Sequence, residues 1–209
     1  MTKVVGLLEE AVRLLKEKEC SMGTVAYEDS DSKVELSTLY PGETFKIGEH
    51  DFIVLEQAQD RTMVISKGFM AEDVVFDRNS RDYNTSNLKR VIEDEIQPII
   101  EVAVGAENLV EEVVDLTTVD MQSEFCSLSC KVRPLTFDEA RKYNDLIADK
   151  SLGDWWWTCT PWSTSERGWD YSIAVVSSSG DIDGISCHSG RGVRPFCILK
   201  SNIFVSKGV

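Results

Sequence analysis

The stretch Asp154-Trp155-Trp156-Trp157-Thr158-Cys159-Thr160-Pro161 decides how this chain is read. Aromatic and β-branched residues bounded by turn formers, with no helical spacing among them, specify a short strand over residues 155–159. Trp155 and Trp157 share one face of that strand under its two-residue repeat, and that face is expected in the core. Downstream, residues 171–176 read as a second strand and Ser177 to Gly180 supplies turn chemistry. Residues 181–186 then form a third strand, and residues 193–199 close the fold. Residues 161–170 and 187–192 are left as loops, rich in the polar and aromatic side chains that make contacts.

Upstream, Pro41 and Gly42 open a turn, and residues 45–47, 51–56 and 62–66 alternate as three strands of a small antiparallel unit. Thr85 or Ser86 caps a helix carrying Leu88, Val91, Ile92 and Ile96, and Pro98 is expected to stop it. Thr136 and Glu139 form a capping box for a helix with Ala140, Tyr143 and Ile147 that ends near Gly153. Residues 1–20 read as an amphipathic helix, with Val5, Leu8, Val12 and Leu15 at two-stranded coiled-coil spacing. Two heptads cannot stand alone, so this helix either packs on its own domain or joins copies of the chain in a homo-oligomer. Residues 21–39 read as a polar connector, and residues 40–209 as one α+β domain.

Composition narrows the function classes. At 209 residues, 42% hydrophobic and 28% charged, the chain can bury one good core. Lysine plus arginine number 22 against 36 aspartates and glutamates, a net charge of -14, so phosphate backbones repel it and direct nucleic-acid binding is not expected. The acid is concentrated in residues 40–130, which read as a solvated surface or as a negative face for a basic partner. No apolar run has the roughly 18–20 residues a bilayer span needs, and residues 1–15 lack a cleavage site, so no membrane partner is expected and the chain is read as cytoplasmic where synthesised. Of six cysteines only Cys126 and Cys130 are close-spaced, with His50 and His188 remote from them. Reduced, mostly buried thiols are expected, with no metal and no cofactor.

Taken with Gly192-Val193-Arg194-Pro195-Phe196, the tryptophan block is similar to a family of uncharacterised bacterial and phage proteins that end in a W-W-x-x-(S/T)-P block and a G-V-R-P strand. The resemblance extends through Phe45-Lys46-Ile47-Gly48, Asp51-Phe52-Ile53-Val54-Leu55, Asp82-Tyr83-Asn84 and Leu135-Thr136-Phe137-Asp138-Glu139-Ala140, covering residues 40–205. Such sequences in turn resemble the C-type-lectin-like fold of retroelement variable proteins and formylglycine-generating enzymes. The resemblance implies small twisted antiparallel sheets, two or more helices and a loop-rich face, built from the C-terminal third, that binds a protein or a carbohydrate. It also allows a location on a virion or in an infected host cell.

On that face Trp162, Glu166, Arg167, Trp169, Tyr171, Asp181, Asp183, His188 and Arg191 are the candidate ligand-binding residues, because aromatic and arginine side chains carry binding hot spots. Trp162 and Trp169 are equally suited to core and to contact. Arg194 is expected to anchor backbone by hydrogen bonding. The carboxylate and amide triplets of calcium-dependent sugar binding are absent, and Cys187 with Cys197 does not match the copper-binding pair of the oxidases. No G-x-G-x-x-G, Walker A, H-E-x-x-H or G-x-S-x-G motif occurs, so no catalytic residue is expected. The reading is a non-catalytic recognition protein, with an acidic phage inhibitor of a host defence or nucleic-acid-handling protein and a phage structural or receptor-binding component as alternatives.

Overall fold

The computed structural model describes residues 33–208, so the expected helix over residues 1–20 lies outside the described residues. Strand β1 (Lys33–Glu35) leads into a 3-10 turn, and Leu36 and Leu39 are buried. The polar connector expected over residues 21–39 therefore does not reach residue 39: residues 33–39 belong to the domain, because two leucines enter its core. Strands β2 (Thr44–Ile47), β3 (His50–Gln57) and β4 (Arg61–Ser66) form the expected meander, and β5 (Ala71–Val75) follows.

Ser86 caps helix α1 (Asn87–Val91), its hydroxyl accepting from the Lys89 N–H at 3.1 Å. The stop expected at Pro98 does not occur. A π-helical segment, Ile92–Ile96, widens the helix just before the proline, and α2 (Gln97–Val104) continues with Pro98 in its first turn, where a missing N–H is tolerated. Gly105, at φ 86°, ends it.

Short strands β6 (Leu109–Val110), β7 (Glu112–Val114), β8 (Leu128–Cys130) and β9 (Val132–Arg133) lead to α3 (Phe137–Lys142), which carries both bonds of the Thr136/Glu139 capping box, and to α4 (Asn144–Ile147). Strands β10 (Trp156–Pro161), β11 (Ser172–Val176), β12 (Ile182–Ser186), β13 (Gly190–Val193), β14 (Phe196–Lys200) and β15 (Phe204–Lys207) complete the chain. The single closing strand expected over residues 193–199 is thus two, broken at Arg194-Pro195. Among the described residues no helix is long and apolar enough to cross a membrane.

The larger sheet runs β1-β15-β2-β3-β4-β14-β6, all antiparallel, with β9 also on β14; first and last strands are neighbours. The second sheet runs β12-β11-β10-β13-β5 and is antiparallel except where β10 meets β13. This is a mixed α+β architecture of antiparallel sheets with few helices. Residues 194–195 carry the chain from one sheet to the other.

Strand β10 is buried on both faces, its threonines included; the Thr158 hydroxyl is satisfied by donating to the Ala174 carbonyl at 2.7 Å. Trp157 joins a cluster with Phe76, its ring centroid 5.5 Å away edge-on, and its indole N–H donates to the Val74 carbonyl at 2.7 Å. Half-buried Trp155 packs on that same cluster, as the strand repeat requires. Trp156 faces a second cluster that includes Leu135, Tyr143 and Phe196. Over its ring, at 5.0 Å, lies the fully buried guanidinium of Arg194, which donates to the carbonyls of Ser66 (2.9 Å) and Ile147 (2.6 Å). Arg194 is therefore a backbone anchor joining β4, α4 and the sheet crossover, and burial lowers its pKa to about 10.

Arg133 is a second buried cation, held by Glu112 and by both oxygens of Glu139 (2.6 and 2.8 Å), with its guanidinium 4.5 Å from the centre of the Phe196 ring. Glu139 also accepts from the Thr136 N–H at 2.7 Å. Burial alone would raise the Glu139 pKa, but Arg133 and the cap outweigh it and hold the carboxylate below its ordinary range. One side chain thus closes a helix and neutralises a core charge. Four of the five described cysteines are buried and all five are unbridged; burial pushes Cys159 and Cys197 up to about 12.

Candidate functional site

Residues 162–171 leave β10 and return as β11, and their path is fixed by polar groups beneath them. The Trp162 N–H donates to the Ser172 carbonyl at 2.9 Å, and the N–H groups of Arg167 and Trp169 both reach Thr164 O. A 3-10 turn, Ser165–Arg167, ends at Gly168, whose φ of 81° suits glycine.

Arg81, only 2% exposed, donates to the Ser163 carbonyl, to Glu124 (2.7 Å) and to the Ser165 hydroxyl (2.8 Å). Glu124 also accepts from the Ser165 N–H at 3.1 Å and its hydroxyl at 2.7 Å. Burial works to raise the Glu124 pKa, and the bonds from Ser165 and Arg81 overcome it, leaving the carboxylate below its usual range. Asp120 makes a second clamp, accepting from the hydroxyls of Ser163 and Thr118, each at 2.6 Å, and from Arg167. Led by the Ser163 bond, these contacts hold its pKa at about 2. Residues 118–124 thus grip the loop at two points through charged hydrogen bonds, the stronger kind.

What this frame presents is aromatic. Trp162 and Trp169 lie with ring centroids 6.4 Å apart and tilted by 51°, while Tyr171 and His188 meet at 5.0 Å. Trp169 is 43% exposed and Tyr171 is 53% exposed, although the backbone beneath them is fixed. Half-buried Trp162 packs on β12 at Gly184, where an added Cβ would lie 2.7 Å from its ring. Exposed rings on an ordered backbone lose little conformational entropy on binding, which makes them effective anchors.

The remaining expected site residues fall elsewhere. Glu166 is exposed on the 3-10 turn, and Arg167 is turned to Asp120. Asp181 closes the β11–β12 turn, accepting from the Ser177 and Ser179 hydroxyls. That turn is about 17 Å along the hairpin from Tyr171, at roughly 3.4 Å per residue. Asp183 covers the Gly184 N–H at 2.7 Å. Arg191 sits on β13 against β5, donating to the Gly190 carbonyl at 2.8 Å, and takes no part in the aromatic face. Among the described residues no group of three His, Cys, Asp or Glu side chains is placed to hold a metal ion.

Two clefts lie elsewhere. One, of about 250 Å³, is walled by Val113, Met121, Phe137 and Asp138 and floored by the Arg133–Glu139 pair. The other, of about 650 Å³, separates β5 from α1 near Asp73, Arg78 and Arg90.

Residues 110–201 match the family described as Domain of unknown function (DUF6273). The match covers less than half of the chain, but it contains the aromatic loop, the Asp120 and Glu124 clamps and the whole β10–β13 region. No curated protein matches the chain, and no solved structure does.

Proposed function

We propose that this protein is a non-catalytic recognition module on a C-type-lectin-like scaffold, binding a protein partner through Trp169, Tyr171 and His188 with Trp162 behind them. The observation that carries this reading is the exposure of Trp169 and Tyr171 on a backbone held by Arg81 and Asp120. The loop-rich face formed by the C-terminal third is the surface such a scaffold uses. Binding rather than chemistry is supported by the state of the adjacent nucleophile: Cys187 is buried, burial raises its thiol pKa, and the ring of His188 beside it lies tilted against Tyr171.

The acidic-inhibitor alternative draws less support, because Glu56, Glu112, Asp120 and Glu124 of the acidic middle section are committed to ion pairs within the domain. The test is affinity capture from a lysate of the source cells with wild-type protein and with Trp169→Ala, run at low and high salt. A protein captured by the wild type and lost from the variant, with the melting temperature unchanged, is the expected result. Equal capture by both forms would overturn the assignment, and a collapsed melting temperature would make Trp169 a core residue.

A further inference from the structure

The second sheet ends on β12, and the direction of its backbone groups follows from its bonds to β11. The Ser177 N–H donates to Asp181 O (2.8 Å) and the Cys187 N–H to Tyr171 O (2.6 Å), with Val175 opposite Asp183 and Ile173 opposite Ile185 between them. Asp183 and Ile185 therefore point N–H and C=O at β11, and the alternate residues Ile182, Gly184 and Ser186 point theirs away from the sheet. Of these outward groups, the Gly184 N–H donates to the Asp183 carboxylate and the Ser186 carbonyl accepts from the Ser189 N–H. The Ile182 N–H and C=O, the Gly184 C=O and the Ser186 N–H have no partner among the described residues.

On β5, at the other margin of the sheet, side chains of this chain occupy two successive carbonyls: Val74 accepts from the Trp157 indole and Val75 from Asn87. Among the described residues, the outward edge of β12 is covered only by the Asp183 carboxylate and, at its end, by the Ser189 N–H. Over residues 181–186 the side chains include two carboxylates, Asp181 and Asp183, and no cation. The Trp162 ring fills the side-chain space of Gly184, so it stands on the face that a residue paired with Gly184 would share.

We propose that β12 is a strand-addition site for an extended peptide segment carrying a lysine or arginine opposite Asp183 and an aromatic or β-branched residue opposite Gly184. This rests on the recognition reading above and names the partner's chemistry. The partner's cation draws the Asp183 carboxylate off the Gly184 N–H, which then donates to a partner carbonyl. Ile182 supplies a further donor and acceptor, and the apolar side chain lies against Trp162. Backbone bonds give affinity and the alternating side chains give selectivity, as in other strand additions.

The test uses the full chain and three nonapeptide probes: alternating Val-Lys, alternating Val-Glu, and the Val-Lys sequence N-methylated throughout. The Val-Lys peptide is expected to slow amide exchange at Ile182 and Ser186 at least tenfold, and the other two to leave it unchanged. Asp183→Lys should transfer the preference to the Val-Glu peptide. Ile182→Pro removes an outward N–H together with part of a side chain packed on the Trp156 cluster, and should abolish the protection at Ser186; Ile182→Val, which keeps the N–H and most of that packing, should leave it in place. Protection that survives N-methylation, or a preference unmoved by Asp183→Lys, would overturn the proposal. So would amides already protected in the free protein, which would mean that a second copy or a segment of this chain holds the edge. Failure of the peptides while lysate capture still depends on Trp169 removes strand addition alone; loss of the Trp169 dependence removes the recognition reading.

Discussion

Arg81→Met isolates the clamp beneath the aromatic loop, because methionine keeps an unbranched apolar stem beside Phe125 and deletes only the guanidinium. Three bonds disappear, to the Ser163 carbonyl, Glu124 and the Ser165 hydroxyl. Glu124 retains its two bonds from Ser165 and is 23% exposed, so it is not left bare. The Ser163 carbonyl loses its guanidinium partner beside a buried side chain. With Glu124 still solvated, the loss is that of hydrogen bonds to a charged group, about 1.5–3 kcal/mol. At roughly 2–4 °C per kcal/mol for a domain of this size, the melting temperature should fall by about 3–12 °C if the loss is global. If the loop opens on its own, the loss appears instead as faster amide exchange confined to residues 162–171. Urea denaturation and exchange mass spectrometry on wild type, Arg81→Met, Glu124→Gln and the double variant separate the two, and the cycle should return a coupling of about 1.5–3 kcal/mol. Unchanged loop exchange with a destabilisation below about 1 kcal/mol would refute the idea that Arg81 orders this loop.

Glu139→Gln preserves the capping geometry but removes one countercharge from Arg133, and should cost roughly 1.5–3 kcal/mol in urea; Glu139→Ala, which also opens the cap, should cost about 0.5–2 kcal/mol more. Equal stability of the two variants would dissociate the cap from the ion pair. Asp120 has a folded pKa of about 2, below its ordinary value, so its contribution is complete above about pH 4 and is lost as pH falls through 2. The stability gap between wild type and Asp120→Asn, followed by chemical denaturation, should therefore be flat from neutrality to about pH 4 and shrink below it. A gap that is constant down to pH 2 would contradict the assignment.

Local patterning carried the sequence reading far. The β2–β4 meander followed from two-residue alternation, and the start of α3 from a capping box whose residues lie three apart. Pro98 misled because the π segment that accommodates it is a property of helix geometry rather than of composition. The break falls at Arg194-Pro195, where the proline itself was the signal, and buried strands flank it on both sides. β15 escaped notice because Phe204 faces solvent and its partners lie on β1 and β2, more than a hundred residues earlier. The aromatic half of the candidate site was legible from residue type alone. Its supports were not: Arg81 and Glu124 meet Ser165 across 84 and 41 residues, and no local spacing encodes such a meeting. Much of the acid of residues 40–130 is exposed, as read; the exceptions Glu112 and Asp120 were not legible, because the cations that pair them stand downstream, at Arg133 and Arg167.

The adjacency of β1 and β15 orders events during synthesis. Strand β2 has hydrogen-bonding neighbours in β3 and β15, and β4 in β3 and β14, so the meander made first on the ribosome exposes two unpaired margins, that of β2 until residue 207 has been added. At the roughly 5–20 residues per second of translation, the β2 margin stays open for about seven to thirty seconds after the meander has been made. A nascent chain of this protein can thus pair with its polysome neighbours through either margin during that interval, and β1 can dock only once β15 has been made.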